Sequence, residues 1–229
     1  MSQEVWGAVD DYIADHLTED DEILDAVLDA SEKAGLPAGA IAPNEGKLLN
    51  LLAHIVGARR ILEIGTLGGY SAIWLARALP ADGRLITLEA DARYAKIARA
   101  NIEMAGLTRI VELRVGPALQ ALQELASNGA APFDVIFIDA DKQNHGAYLE
   151  WSLKLSRTGT VIVADNVVRG GAILDPDGGD PRLGEGGIQG IRQFYDLLAR
   201  EPRLSGTAIQ TVSGKGHDGL ALALVVDKA

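Results

Sequence analysis

The sequence predicts an α/β protein built on a doubly wound, mostly parallel sheet. Three observations predict it. Short, continuously apolar runs rich in Val, Ile and Leu recur from Arg59 onward, and such runs are strands buried on both faces. Between them lie segments whose apolar residues recur three and four positions apart, the spacing of helices that cover a sheet. The last two apolar runs are joined by a connection too short for a crossover helix, so they pair as an antiparallel hairpin at one sheet edge.

The elements follow in order. Within residues 4–34, Val5, Val9, Tyr12 and Ile13 and then Ile23, Leu24, Val27 and Leu28 mark amphipathic helices. The Gly- and Pro-bearing stretch "EKAGLPAGAIAPNEG" breaks that pattern, and a further helix over about residues 44–56 leads into the sheet. Residues 1–58 are therefore expected to form a helical cap and residues 59–229 the α/β core of one domain. The cap is also a candidate substrate-entry or dimer surface. The core alternates "RILEIG", "SAIWLARAL", "RLITLE", "ARYAKIARANIEMAG", "IVELRVG", "ALQALQELA", "FDVIFIDA", "AYLEWSLKL" and "TVIVADN". It closes on "GTAIQTVS" and "GLALALVV" around "GKGHD", and "LDPDGGDPRLGEGG" is its one long turn-rich loop.

Composition narrows the chemistry. A net charge of -11 over 229 residues opposes a grip on nucleic-acid phosphates, which needs clustered Lys and Arg. The absence of cysteine removes disulfides, thiolate nucleophiles and Cys-ligated zinc, and fits a reducing compartment. The start of the chain, "MSQEVWGAVDDYIADHLTEDDE", lacks the basic segment and apolar core of a signal peptide. No apolar run nears the ~20 residues that span a bilayer. A cytoplasmic protein with no membrane or nucleic-acid partner is expected.

In an open parallel sheet, ligands bind outside the carboxyl ends of the strands. The first strand ends in "EIGTLGGYS", which carries Glu63, Gly65, Gly68, Gly69 and Ser71. Glycines let a ligand approach the backbone, and the following helix presents unpaired N–H groups, although a glycine turn is also an ordinary strand-to-helix joint. The spacing is G-x-x-G-G and not the G-x-G-x-x-G that cradles a pyrophosphate, which argues against NAD. Glu89 closes the second strand, where an acid either stands in solvent or accepts hydrogen bonds from both hydroxyls of a ribose. With the glycine loop upstream, the ribose reading is preferred. A nucleoside without a pyrophosphate satisfies both facts, and S-adenosylmethionine is the common one. After the third strand, Gly116, Pro117 and Ala118 form a turn that suits an adenine face about as well as it suits a plain strand-to-helix junction.

The fourth strand delivers Asp139, Asp141 and Lys142, and the fifth delivers Asp165 and Asn166. These strands are neighbours in a doubly wound sheet, so Asp139, Asp165 and Asn166 come together. Two carboxylates and an amide oxygen are hard ligands suited to Mg²⁺ or another divalent cation such as Mn²⁺ or Ca²⁺. The competing reading is of strand-end acids that are solvated or cap the next helix, and it suits Asp141, which precedes a helical stretch. Lys142 is either a surface lysine or, beside a metal and a docked hydroxyl, a proton acceptor. His145 and His217 lack the partners of a ligand or a triad. Ser71 lacks the G-x-S-x-G elbow, which argues against a hydrolase. Trp6, Trp74 and Trp151 lie on helical stretches and read as packing.

Together "EIGTLGGYS", "LEAD", "VGPAL", "FIDADK", "VADNVVRGG" and "DGLALAL" resemble the cation-dependent class I S-adenosylmethionine O-methyltransferases, the family of the caffeoyl-CoA and catechol O-methyltransferases. The resemblance covers about residues 41–226. It implies a Rossmann-like seven-stranded sheet with the last strand antiparallel, and a homodimer as in the caffeoyl-CoA branch. It implies methionine-side contacts at Glu63, Gly65, Gly69 and Ser71, a ribose contact at Glu89 and an adenine contact at Ala118. Asp139 and Asp141 become further cofactor contacts; Asp139, Asp165 and Asn166 the metal ligands; Lys142 the base, with Asp139 beside it. "APNEGKLL" resembles the family's N-terminal wall, and Glu45 and Gly46 carry no assigned role. The implied activity is cation-dependent methylation of a small-molecule hydroxyl, with a vicinal dihydroxy aromatic as first choice because two adjacent oxygens chelate a cation. The acceptor walls would come from the N-terminal helices, the loop after "DNVVRGG" and the turn-rich loop. The alternatives are a tRNA hydroxyuridine O-methyltransferase, which the acidic charge disfavours, a non-catalytic S-adenosylmethionine- or nucleotide-binding protein, and an NAD-dependent oxidoreductase.

Overall fold

A computed structural model describes residues 2–18, 21–175, 177, 180 and 183–227. Its strands are β1 (Arg60–Ile64), β2 (Arg84–Glu89), β3 (Val111–Val115), β4 (Phe133–Ile138), β5 (Ser156–Asp165), β6 (Leu204–Ser213) and β7 (Gly216–Val225). They form one seven-stranded sheet in the order β3-β2-β1-β4-β5-β7-β6. β7 runs antiparallel to both of its neighbours, and the other pairings are parallel. The helices are α1 (Gln3–Leu17), α2 (Glu22–Lys33), α3 (Pro43–Ile55), α4 (Tyr70–Ala76), α5 (Ala92–Met104), α6 (Ala118–Ser127), α7 (His145–Lys154) and α8 (Gly187–Arg200), with 3-10 turns at Lys142–Asn144 and Arg169–Leu174.

Both faces of the sheet are covered, which is why its central strands read as unbroken apolar runs; every residue of β4 is buried. On one face α2, α3 and α4 pack Leu24, Val27, Leu49 and Ile73 against Ile61, Leu85, Phe137 and Val163. On the other, α6, α7 and α8 pack Leu122, Leu149, Ile191 and Phe194 against Leu62, Ile86, Ile136 and Ile162. The chain runs outward from β1 to β3 and then returns to β4, so the crevice for a ligand opens where β1 and β4 end.

Register decides where the strand-end acids point. Glu63 pairs with Thr87 and with Phe137, and Phe137 pairs with Val163. Side chains alternate between faces along a strand, so Glu63, Glu89, Asp139 and Asp165 all project to the side covered by α2, α3 and α4. The ladder continues one step past β4, where Asp139 N–H donates to Ile64 O at 2.8 Å.

Several parts differ from the sequence reading. It assigned no element to 187–200, which is α8; Gly187 and Gly190 lower helix propensity there, but Ile188, Ile191, Phe194 and Leu198 form a buried helical stripe. Gly190 is required by packing, because a Cβ at that position would stand 2.2 Å from the Lys142 carbonyl oxygen. The hairpin turn is tighter than expected, since His217 and Asp218 already belong to β7 and leave Gly214 and Lys215 as the connection. The helix α1 has no buried residue, and Val5, Val9 and Tyr12 are exposed rather than packed into a core. Positions 176, 178, 179, 181 and 182 of the turn-rich loop, expected to form an acceptor wall, lie outside the described residues. Among the described residues no helix is long and apolar enough to cross a membrane.

The joint between β1 and α4 depends on Gly65, whose φ is 101° and whose Cβ, if it had one, would meet the Asp139 carbonyl oxygen at 2.2 Å. Gly129 also has positive φ, yet nothing lies within 4 Å of its would-be Cβ. Gly129→Ala is expected to cost on the order of 1–2 kcal/mol from backbone strain alone. Gly65→Ala adds a collision with backbone and is expected to cost more, each kcal/mol lowering the unfolding midpoint by about 2–4 °C. Thermal unfolding of the two variants checks this, and equal midpoints would contradict it.

Candidate active site

A cavity of about 1280 Å³ opens over the carboxyl ends of β1, β2, β4 and β5. Gly65, Ser71, Glu89, Ala118, Asp139, Asp141, Lys142 and Asn166 line it. Of the other residues singled out from the sequence, Glu63, Gly69 and Asp165 stand behind this lining. The cavity is also walled by Gly7, Asp10 and Asp11 of α1, by residues 36–43, and by Ser213, Gly214 and Lys215 of the hairpin.

At the β1–β2 end, the glycine loop is held by the next strand. Glu89 Oε2 accepts the N–H groups of Leu67 at 2.8 Å and Thr66 at 3.3 Å, and Oε1 accepts that of Asp91 at 2.8 Å. Glu89 is 8% exposed, so the reading of a solvated strand-end acid does not hold. Its carboxylate keeps one lone pair, on Oε1, beyond these three bonds for a ligand. Gly69, with φ 84°, starts α4 in the left-handed conformation that glycine adopts without penalty. Asn101, buried on α5, donates to Gly68 O at 2.8 Å and to Ser31 Oγ at 3.3 Å, tying the loop to α2 and α5. The sequence signal for Asn101 was available: it is a polar residue within the buried stripe of Ala95, Ala98 and Ile102.

Glu63 is fully buried beneath this loop. Its Oε2 accepts the Thr87 hydroxyl at 2.5 Å, while Oε1 has no hydrogen-bond partner. Burial pushes its carboxyl up to about 8, against the pull of the Ser71 and Thr87 hydroxyls and with help from the Asp139 and Glu89 charges.

At the β4–β5 end, Ile138 pairs with Ala164, so Asp139 and Asp165 leave neighbouring strands side by side. Lys142 Nζ donates to Asp139 Oδ1 at 2.9 Å, and Asp165 Oδ1 accepts the Asn166 N–H at 2.6 Å. Burial first, and then the Asp139 and Glu45 carboxylates, raise the Asp165 carboxyl well above its usual range, with Lys142 acting in the opposite direction. Burial likewise raises Glu45, whose Oε2 accepts the Ala42 N–H at 2.8 Å. Glu45 thus belongs to this electrostatic neighbourhood, although the sequence assigned it no role. Asn166 has φ 59°, a conformation asparagine tolerates better than most residues. Among the described residues no three His, Asp or Glu side chains group as metal ligands. The donor set is instead two mutually repelling carboxylates and an amide, all hard oxygen donors, and it fits a divalent cation.

Two of the competing readings do not hold. Lys142 is not a surface lysine: it is 5% exposed, because α8 packs across its turn. Asp141 occupies the position before the 3-10 turn, but its side chain makes no capping bond. It instead accepts the Tyr148 hydroxyl and, at 2.5 Å, the Asn144 amide. His145 is fully buried, packs on the Phe194 and Tyr148 rings, and is held neutral by burial and the Lys142 charge.

A family model described as O-methyltransferase matches residues 14–225. The chain belongs to the O-methyltransferase family. It is an S-adenosylmethionine-dependent O-methyltransferase. A catechol O-methyltransferase of Niastella koreensis is 48% identical over 225 residues, 98% of this chain and 100% of that one. The crystal structure of an O-methyltransferase from Bacillus cereus in complex with SAH has a TM-score of 0.94 and 55% identity, covering 98% of this chain and 100% of that one. TomG from Streptomyces achromogenes, involved in tomaymycin synthesis and solved in complex with SAM, has a TM-score of 0.93 and 49% identity, covering 99% and 100%. The seven-stranded, doubly wound sheet expected from the sequence is thus the fold of this O-methyltransferase.

Glu63 makes stability depend on pH in a defined direction. In the native chain its carboxyl keeps a proton up to about 8, against 4.5 for the ordinary value, so between these limits the native state binds more protons than the unfolded one. The contribution of Glu63 to stability therefore falls as pH rises through that window and is level above it. Urea unfolding of the ligand-free O-methyltransferase is expected to lose less stability between about pH 5 and about pH 8 after Glu63→Gln, and identical slopes would contradict this.

Proposed function

We propose that this O-methyltransferase methylates one hydroxyl of a small vicinal dihydroxy aromatic, with a divalent cation held by Asp139, Asp165 and Asn166. The observation that carries the reading is a single cavity with two chemically different ends. One end joins the glycine loop to Glu89, and the other joins Asp139, Asn166 and the buried Lys142, with the Asp165 carboxylate just behind them.

The first end suits the methyl donor. Glu89 has an acceptor site left on Oε1 for a ribose hydroxyl, Ala118 offers a small side chain beside a flat ring, and Glu63 and Ser71 provide an acid and a hydroxyl beneath Gly65. When bound, S-adenosylmethionine supplies an electrophilic methyl carbon on a sulfonium. Asp141, braced by Tyr148 and Asn144, is a further donor-side contact in this reading.

The second end suits the acceptor. When bound, a divalent cation favours the ionised form of an adjacent hydroxyl. Asp139 Oδ1 faces Lys142, which leaves Oδ2 as a cation donor. Asp165 Oδ2 and the Asn166 amide form no hydrogen bond among the described residues and complete the set. In its neutral amine form Lys142 Nζ would take the acceptor's proton and become the ammonium, kept close by Asp139. The acceptor oxygen then forms its bond to the methyl carbon as the carbon–sulfur bond breaks, giving a methyl ether and S-adenosylhomocysteine. The protein's part is to align the two ends and exclude water. The catechol O-methyltransferase relative in Niastella koreensis supports the acceptor class.

A homodimer acting in the cytoplasm completes the proposal. Exposed Val5, Val9 and Tyr12 on α1 and Leu51 and Ile55 on α3 support the dimer, and the absence of cysteine supports the compartment.

Methyl transfer to catechol is expected with Mg²⁺ and is expected to cease when the cation is chelated. Asp165→Ala should lower cation-dependent turnover by more than about 100-fold, since even outer partners of a ligand set cost about 10- to 100-fold, with donor affinity retained. Glu89→Ala should weaken S-adenosylmethionine binding by about 10-fold or more, the loss expected for hydrogen bonds to a charged group. Calorimetry with the donor, beside turnover, checks this division. Turnover indifferent to chelator would overturn the cation assignment, and equal loss of donor binding in both variants would overturn the two-ended site.

A further inference from the structure

The segment that follows β5 is anchored by a residue that does not line the cavity. Asp218, the third residue of β7, accepts three backbone N–H groups on Oδ1: Val168 at 3.1 Å, Arg169 at 2.8 Å and Gly219 at 3.0 Å. Its Oδ2 accepts Arg169 Nη1 at 3.2 Å, and the Arg169 side chain is only 11% exposed. One residue earlier, Val167 N–H donates to Gly219 O at 3.1 Å. Every residue from Val167 to Arg169 is therefore tied to the start of β7, while Asp165 on the other side is tied by register to Leu220.

Asn166 lies between these two attachments with φ 59°, and Arg169 at the far end has φ 54°. Side-chain-bearing residues keep such conformations when their surroundings over-determine them. A carboxylate that takes three backbone donors and a guanidinium is a strong local anchor of that kind. Asn166 lines the cavity from this constrained position and follows Asp165 directly in the chain.

We infer that Asp218 is a positioning residue. By pinning the backbone after Asn166, it holds the Asn166 amide beside the Asp165 carboxylate and so sets the geometry of the divalent-cation site. The inference rests on the cation reading proposed above. It assigns to a residue 52 positions from Asn166 in sequence, on the antiparallel strand, control over a site built at the ends of parallel strands.

The test uses Mn²⁺ as the probe, with free Mn²⁺ read by electron paramagnetic resonance, alongside calorimetry with S-adenosylhomocysteine and thermal unfolding. The unsubstituted protein is expected to bind Mn²⁺. Asp218→Ala is expected to weaken that binding about tenfold, as for the loss of an outer partner of a ligand set, while S-adenosylhomocysteine affinity stays within about twofold. A purely structural role would lower the unfolding midpoint without this split between cation and nucleoside. Mn²⁺ affinity within about threefold of the unsubstituted protein, or parallel loss of both ligands, overturns the inference alone. An unsubstituted protein that binds no Mn²⁺ overturns the cation reading and the inference with it. If Asp218→Ala does not fold, Asp218→Asn decides, because its amide oxygen accepts more weakly and its NH₂ cannot pair with Arg169. A weakening of about threefold or more supports the inference, and unchanged Mn²⁺ affinity overturns it.

Discussion

Two carboxylates that leave neighbouring parallel strands on the same face repel each other, and the arrangement around Asp139 and Asp165 follows from that constraint. Adjacent strands lie about 4.8 Å apart, and at an effective dielectric constant of about 20 two unit charges at that spacing repel by roughly 3 kcal/mol. Lys142 offsets part of this through Asp139, and Asp165 responds by holding its proton more tightly, pushed by burial and by the charges of Asp139 and Glu45. A cation relieves the same strain in another way. The geometry that makes this pair of carboxylates electrostatically costly is also the geometry on which the proposed cation site rests.

The two ends of the cavity are built differently, in keeping with the different charge and shape of the two ligands proposed for them. At the end proposed for the nucleoside, polar side chains organise backbone: Glu89 holds the glycine loop, and Asn101 holds Gly68 from behind. At the end proposed for the cation, backbone organises side chains, as β4 and β5 set Asp139 and Asp165 side by side and the turn after β5 holds Asn166 at φ 59°. Between them, Gly65 passes so close to the Asp139 carbonyl that no side chain fits, which keeps the two ends at a fixed separation.

What was legible in the sequence was what depends on local pattern. The β4 run is apolar without a break and ends in Asp139, and the β5 run ends in Asp165 and Asn166, so strand identity and strand-end charge are read together. Long-range contacts were not legible. Lys142 is buried because α8 crosses its turn, and the crossing needs Gly190, the kind of residue that makes a helix hard to recognise. Position alone allows Asp141 to be a helix cap as readily as a cofactor contact, and only the fold shows that Tyr148 and Asn144 claim its carboxylate. Asp218 reaches Val168 across 50 positions, and nothing in "GHDG" announces that reach.

The most direct measurement of the central claim is the anomalous scattering of crystals grown with Mn²⁺ and S-adenosylhomocysteine. One strong peak is expected within bonding distance of Asp139, Asp165 and Asn166, on the side of the cavity opposite the ribose and with Glu89 facing that ribose. A nucleoside bound in the cavity with no Mn²⁺ peak between the two aspartates would contradict it.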